Sequence, residues 1–453
     1  MYYYMMYILG RFRRKFFNQI PENKDHYLRS RRAFTVDGIT AMSILVLTAT
    51  SYLNGFLEYI GVSPSINGII AAVPALMGIS QPFGAIIGQK IRRRKLFISA
   101  GAIFHRSMFT AMYVVPFFVK GLNAKIFAIV ALYACGHFIS ALINPAASNW
   151  IISLSPQRVR GRYFSIREKY CILSASALGL LAGYILDYFK MIDDQNKGYI
   201  WMAIIIGVLT VINFMALSSI MEPESMEVRQ SKVSIKDAFV MPFKEKSFRP
   251  IIIMGILFNL AVQMLIPYFG LYLVSDIKIP YVSISIIALM GGLLKAFLVP
   301  LWGKYADKTS WANVYKIAIL ILAFAHLFNI FLVPSTGAWY YLFLVMFSSI
   351  SWSVIGIAQI NIQYDYAPAK GRTLYVGSNG AITGIIGFLG VFFGAFVMEW
   401  TAKHQPMLFG MPVKGQQILT VFSAIMLFIC FTYIHFVVEK NKKIINKTEG
   451  VAL

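Results

Sequence analysis

The sequence predicts an all-α polytopic membrane protein of twelve transmembrane helices arranged as two pseudo-symmetric six-helix bundles. Three observations lead there. Of 453 residues, 58% are hydrophobic and only 13% charged, which is too apolar for a soluble domain. The basic residues collect in alternate gaps between long apolar segments, as short cytoplasmic loops require. Two loop strings of the first half recur at nearly one offset in the second.

The segment 1–33 is read as a cytoplasmic N-terminal stretch holding Arg11, Arg13, Arg14, Lys15, Arg29, Arg31 and Arg32. Met1 to Gly10 is short, aromatic and followed by cations, the reverse of a cleavable signal, so it reads as an interfacial belt. Spans of about 20 residues, the length a bilayer core requires, are expected near 34–59, 65–89, 96–119, 123–146, 168–189 and 199–221. The stretch 222–249 is the long hydrophilic gap and reads as a cytoplasmic linker. Within it Val233 to Phe243 mixes apolar and charged residues like an interfacial helix. The second bundle, 250–438, holds spans near 250–275, 282–303, 313–334, 338–362, 374–399 and 416–438. The tail 439–453 carries Lys440, Lys442, Lys443 and Lys447. Both termini are thus expected on the cytoplasmic side of the cell (inner) membrane.

A net charge of +23 would point to nucleic acid in a soluble chain. Here the cations report topology, with attraction to anionic lipid as a secondary effect. Cys135, Cys171 and Cys430 all sit in apolar runs and read as packing residues without metal spacing. No metal and no cofactor is expected.

Gly84, Gly88, Arg92, Arg93 and Arg94 close the second span, and Gly303, Lys304, Asp307 and Lys308 close the eighth, with 219 residues from Gly84 to Gly303. Pro156, Arg160, Gly161 and Arg162 precede the fifth span; Pro368, Gly371 and Arg372 precede the eleventh, with 210 residues from Arg162 to Arg372. Such pairing indicates a duplicated six-span unit with parallel repeats. On these motifs the chain resembles the major facilitator superfamily: Gly303, Asp307 and Lys308 match its loop signature, whereas the first-half copy has Gly88 and Gln89 where acid and base are expected. The run from Asn149 and Trp150 to Arg167 is similar to a bacterial subgroup of uncharacterised transporters. The resemblance implies that spans one, four, seven and ten line a central cavity, that two, five, eight and eleven flank it as gates, and that the halves rock.

The first span carries a polar stripe, Asp37, Thr40, Thr48, Ser51, Asn54 and Glu58, at helical spacing. Facing lipid it would be costly; helix packing by small polar residues is the structural alternative. Asp37 and Glu58 are the coupling candidates, although Asp37 lies near enough to the cytoplasmic boundary to pair with Arg32 or a loop cation. Lys295 is near mid-bilayer in the eighth span and must find a carboxylate, carbonyls, water or a solute. Asn259, Gln263 and Tyr268 of the seventh span, beside the helix-bending Pro267, and Trp352 and Gln359 of the tenth complete the substrate-binding candidates with Asn54. Arg106, beside His105, is expected to form a buried structural pair in the third span. Arg160, Arg162, Arg167 and Glu168, with Asp307 and Lys308, are gating candidates. Glycines recur through the eleventh span, from Gly377 to Gly394, where helices can approach closely.

The function expected is secondary active transport of a small organic solute by alternating access. The deep cations favour an anionic or polar neutral solute, an organic acid or sugar derivative, with the proton as candidate coupling ion. The alternatives are a multidrug-type exporter of amphipathic compounds and a non-transporting receptor on the same fold. No Walker A loop, HExxH helix or GxSxG elbow appears, so no ATPase or enzyme activity is expected. The partners expected are the small-molecule substrate and the lipid bilayer, with the chain acting as a monomer and without nucleic acid.

Overall fold

A computed structural model describes residues 24–91, 93–154, 157–222, 240, 242–368, 372–408 and 411–439. The expected belt at 1–10 and most of the expected interfacial helix at 233–243 lie outside these. Twelve apolar segments run through the described residues. The first span is a bent pair, Lys24–Leu47 and Thr50–Ile60, meeting at 41°. The second is Pro64–Gly88, the third Arg94–Phe118, the fourth Leu122–Ser153, the fifth Gln157–Met191 and the sixth Gln195–Ser219. The seventh is Arg249–Asp276, the eighth Tyr281–Lys308, the ninth Trp311–Phe331, the tenth Gly337–Tyr366, the eleventh Arg372–His404 and the twelfth Gly415–Val438. Ten of these are long and apolar enough to cross a membrane as single helices, and the bent first span makes eleven. The third carries His105 and Arg106 at its centre, and both are buried in protein, 6% and 7% exposed. Its polar residues turn inward, so its lower hydropathy does not prevent it from spanning. A two-strand hairpin, Met407–Leu408 with Met411–Pro412, joins the last two spans.

The contacts repeat. In the first bundle span one packs on five and six, three on four and six, and two on four. In the second, span seven packs on eleven and twelve, nine on ten and twelve, and eight on ten. Across the seam, two packs on eleven and five on eight, a pair exchanged by the same two-fold relation. This is the parallel repeat that the loop strings predict.

The two ends of the molecule differ. Toward the end away from the basic loops two hydrophobic clusters cross the seam, one joining Tyr52, Phe56, Tyr113 and Tyr199 to Tyr272, Val274 and Tyr281, the other joining Ala72 to Leu265, Tyr268 and Val391. Toward the basic loops the clusters belong to single bundles: Phe34, Ile98, Trp150 and Leu217 in the first, Phe248, Tyr315, Tyr366 and Val438 in the second. Apolar burial therefore seals the far face across both bundles and leaves the basic face divided.

Pro267 shapes the seventh span as expected. The helix Arg249–Gln263 stops just before it, and Ile266–Leu271 resumes. The carbonyl of Pro267 accepts a hydrogen bond from Asn54 Nδ2 at 2.8 Å, so a side chain of the first span holds the break.

Candidate functional site

The polar residues of spans one, three, five and six converge inside the first bundle. Asp37 is the centre. Its Oδ1 lies 3.6 Å from Arg106 Nη2 and its Oδ2 lies 3.8 Å from Arg167 Nη2. Asn213 of the sixth span donates from Nδ2 to Asp37 Oδ1 at 3.0 Å and to Thr40 Oγ1 at 2.8 Å. Arg106 Nη1 in turn donates to Asn213 Oδ1. Arg167 is fixed by a second bond, from Nε to the Phe34 carbonyl at 3.2 Å. Gly38 makes this possible, because a methyl group there would collide with the Arg167 guanidinium. One carboxylate thus faces two guanidiniums, with an amide filling the remaining hydrogen bonds, the arrangement that a buried charge requires.

Beside this network lies a cavity of about 490 Å³, lined only by first-bundle residues. Asp37, Arg106, Arg167 and Glu168 contribute charge; His105, His137, Ser140 and Asn144 contribute neutral polar groups. Phe34, Ile98 and Phe109 supply apolar wall. His105 Nδ1 and His137 Nε2 are buried without a hydrogen-bond partner among the described residues. Their rings flank Phe109, at centroid distances of 5.6 and 4.8 Å. The arrangement suits a small polar solute, which would find a guanidinium, a carboxylate and the polar side chains of Ser140 and Asn144 on one wall.

Among the described residues Asp37 pairs with Arg106 and with Arg167, one of the cations flanking the loop before the fifth span, and not with Arg32. Arg106 is in a buried ion pair and His105 lies beside it on the cavity wall. Glu168 is exposed and lines the cavity, and its neighbour Arg167 points to Asp37 instead of pairing with it. The side chains of Arg160 and Arg162 lie outside the described residues. Asp307 and Lys308 are exposed at the end of the eighth span, with no ion pair among the described residues. Glu58 is exposed at the far face, on a second cavity of about 290 Å³ with Lys190, Tyr199 and Tyr281.

The proposed substrate-binding set does not form one site. Asn54 is fully buried in the contact between the first and seventh spans. Tyr268 is also fully buried and donates to the Val391 carbonyl at 2.7 Å. Asn259 Nδ2 bonds within its own helix to Gly255 O at 2.9 Å, and Gln263 packs near Gly387. Trp352 stands edge-on to Phe258, and Gln359 donates to the Tyr315 hydroxyl at 2.9 Å. Lys295 is half-buried and has no hydrogen-bond or ion-pair partner among the described residues. These residues stand in helix contacts rather than on the charged cavity, because the far face and the second bundle are packed shut around most of them. His137, Ser140, Asn144 and Asn213 were missed. The apolar runs of the fourth and sixth spans hide them, and only their depth within those runs could have flagged them.

Comparison with known proteins places this architecture. No curated protein matches in sequence. Among solved structures, the nucleoside transporter NupG (D323A mutant) superposes with a TM-score of 0.68 at 14% identity, covering 89% of this chain and 98% of that one. A D-xylose-proton symporter gives 0.62 at 14% identity, covering 89% and 97%. A bacterial homolog of the human lysosomal transporter Spinster, in an inward-facing and unoccupied conformation, gives 0.64 at 16% identity, covering 91% and 97%. At such identities the likeness is one of fold. The sequence profile described as Major Facilitator Superfamily matches residues 38–391, most of both bundles, and with twelve spans in two related halves the chain belongs to the major facilitator superfamily of multi-pass membrane transport proteins.

Proposed function

We propose that this protein is a secondary active transporter that carries a small polar organic solute by alternating access, with the first-bundle cavity as its solute site. The observation that carries the proposal is the cavity of about 490 Å³ that combines Arg167 and Glu168 with the polar side chains of Ser140 and Asn144. Its wall offers hydrogen bonds and charge of both signs inside an otherwise apolar bundle. An anionic or polar neutral solute fits it better than a purely apolar one. Arg167 has N–H groups beyond those that meet Phe34 and Asp37 and would hold a carboxylate or a hydroxyl-rich ring. Asp37 is the proposed proton-coupling group, since protonating it would release two guanidiniums from one partner. The excess of Lys and Arg in alternate loops supports a cytoplasmic basic face, cytoplasmic termini and residence in the cell membrane. With the far face sealed, the conformation described is then open toward the cytoplasm.

The test begins with thermal unfolding of the purified protein against organic acids, sugars, nucleosides, amino acids and amphipathic amines, since a ligand of the native state raises the melting point. Solutes that stabilise are then followed as flux into proteoliposomes, with and without an imposed proton gradient. Saturable flux that Arg167→Ala abolishes is the expected result, and Asp37→Asn should uncouple it from the gradient. Stabilisation and flux restricted to amphipathic amines would replace the polar-solute reading with an exporter. No flux of any class would sink the transport proposal for this chain.

A further inference from the structure

The second cavity, of about 290 Å³, lies at the end of the molecule away from the basic loops and shares no lining residue with the first-bundle cavity. Three helix ends each turn one face into it. Gly55, Glu58 and Tyr59 come from the end of the first span, Leu186 and Lys190 from the end of the fifth, and Gln195 and Tyr199 from the start of the sixth. Steps of three and four residues put each set on one side of its helix. Tyr281, which begins the eighth span, completes the lining from the second bundle.

The floor is apolar and held in place. Leu186, Tyr199 and Tyr281 are buried, and the Tyr199 ring packs on Phe56 and Tyr59, each at a centroid distance of 5.0 Å. A methyl group at Gly55 would collide with the Tyr281 hydroxyl, so glycine lets that ring reach the backbone of the first span. The Tyr59 hydroxyl donates to Asn196 Oδ1 at 2.5 Å, tying the first span to the start of the sixth. Walls fixed in advance lower the cost of ordering them around a ligand.

The charges around this floor divide into engaged and free. Asp187 accepts the Tyr281 and Val282 N–H groups at 3.1 and 3.0 Å, and Asp194 pairs with Lys197 at 2.6 Å. Glu58 and Lys190 line the cavity, and neither has a hydrogen-bond or ion-pair partner among the described residues. One acid and one base therefore border the same space without neutralising each other. Their surroundings reinforce the two signs. Glu58 is in the last turn of the helix Thr50–Ile60, whose carbonyl end favours a cation. Gln195 opens the helix Gln195–Ser219, whose N–H end, like Lys190, favours an anion.

We propose that this cavity is a second binding site, on the side opposite the basic loops, for a small zwitterion carrying a primary ammonium and an anionic group. The ammonium would meet Glu58, the anionic group would meet Lys190 and the Gln195 amide, and a short apolar remainder would lie on Tyr59, Tyr199 and Tyr281. The volume is near the lower bound of small-molecule sites, roughly 300 Å³, which limits the ligand to about the size of an amino acid. A free amino acid and the phosphoethanolamine headgroup of a lipid share this chemistry. The inference stands without the transport reading, because its test reads binding and not flux.

The full chain in phosphatidylglycerol nanodiscs is titrated calorimetrically with the common amino acids, one at a time, and with phosphoethanolamine. Saturable binding of at least one is expected, and binding of none overturns the site. For an amino acid that binds, the N-acetyl and methyl-ester derivatives should each bind at least tenfold more weakly; for phosphoethanolamine the same holds of ethanolamine and inorganic phosphate. Equal binding of a derivative that lacks one charge overturns the zwitterion class. Glu58→Gln and Lys190→Gln, both at exposed positions where folding should survive, should each weaken binding at least tenfold. Arg167→Ala, expected to abolish flux, should change it less than twofold. The reverse pattern puts the ligand in the first-bundle cavity and overturns the proposal. Repeating the titration in phosphatidylethanolamine nanodiscs names the source: loss of free-ligand binding assigns the site to the lipid headgroup, and unchanged binding assigns it to a free solute.

Discussion

The two bundles meet their third and sixth members in the same way and fill the meeting point with different chemistry. In the first, Arg106 of the third span bonds Asn213 of the sixth, which donates to the Asp37 carbonyl of the first at 3.2 Å. In the second, His326 Nδ1 of the ninth span lies 2.7 Å from Ser423 Oγ of the twelfth, which donates to the Ala261 carbonyl of the seventh at 2.5 Å. Topologically these are one relay, written once in charges and once in neutral groups. The charged version borders a cavity; the neutral one is buried in the second bundle, with His326 5% and Ser423 0% exposed. A duplicated scaffold thus keeps its hydrogen-bond position while only the first copy is built from a carboxylate and guanidiniums.

The sharpest way to break this contrast is to remove one partner from each relay. Asp37→Ala leaves two guanidiniums without their carboxylate and should cost about 3–5 kcal/mol of stability. His326→Ala removes a neutral hydrogen bond and should cost about 1–3 kcal/mol. Denaturant unfolding of both variants in detergent measures the gap, and equal losses would show that the charges are not the distinguishing feature. A finer comparison uses the sixth and twelfth spans. Asn213→Ala loses bonds to a carboxylate and a guanidinium, about 1.5–3 kcal/mol, whereas Ser423→Ala should cost about 1 kcal/mol.

The loop motifs sharpen the same lesson at smaller scale. Gly84 and Gly303 are copies in sequence, yet a methyl at Gly84 would collide with the Leu142 carbonyl, and one at Gly303 meets nothing within 4 Å. Gly84→Ala should therefore destabilise by about 1–3 kcal/mol through overpacking of the second and fourth spans. Gly303→Ala, like Asp307→Asn on the exposed turn beside it, should change stability by no more than about 0.5 kcal/mol. Melting temperatures of the three variants side by side test the ranking.

Much of the architecture was legible in the chain. The spans were found to within a few residues for most helices because hydropathy and length are set by the bilayer itself. The first and fifth spans were drawn too short. Their polar and basic starts, Lys24 to Arg32 and Gln157 to Arg167, continue the helix beyond the apolar run. The glycines of the eleventh span were read as a close helix contact, and Gly384 and Gly390 do lie against the backbones of the second and seventh spans.

The site was less legible. Asp37 and Arg106 both stood out as deep charges, but their pairing needs the first and third spans brought together by the sixth, and nothing in the spacing of three separate helices states that. Asn54 and Tyr268 looked like cavity groups because polar residues in apolar helices have two destinations, a cavity or another helix, and periodicity cannot distinguish them.

By itself the sequence determined that this chain spans a membrane twelve times in two related halves, because hydrophobic length, loop charge and repeated strings are properties of local composition that a bilayer reads directly. The tertiary structure alone decided that Asp37 faces two guanidiniums, that the cavity is lined by one bundle, and that apolar clusters cross the seam at the far face. Those follow from which helices meet and at what height. Such contacts join residues more than a hundred positions apart, and their distances are set by packing rather than by any local pattern.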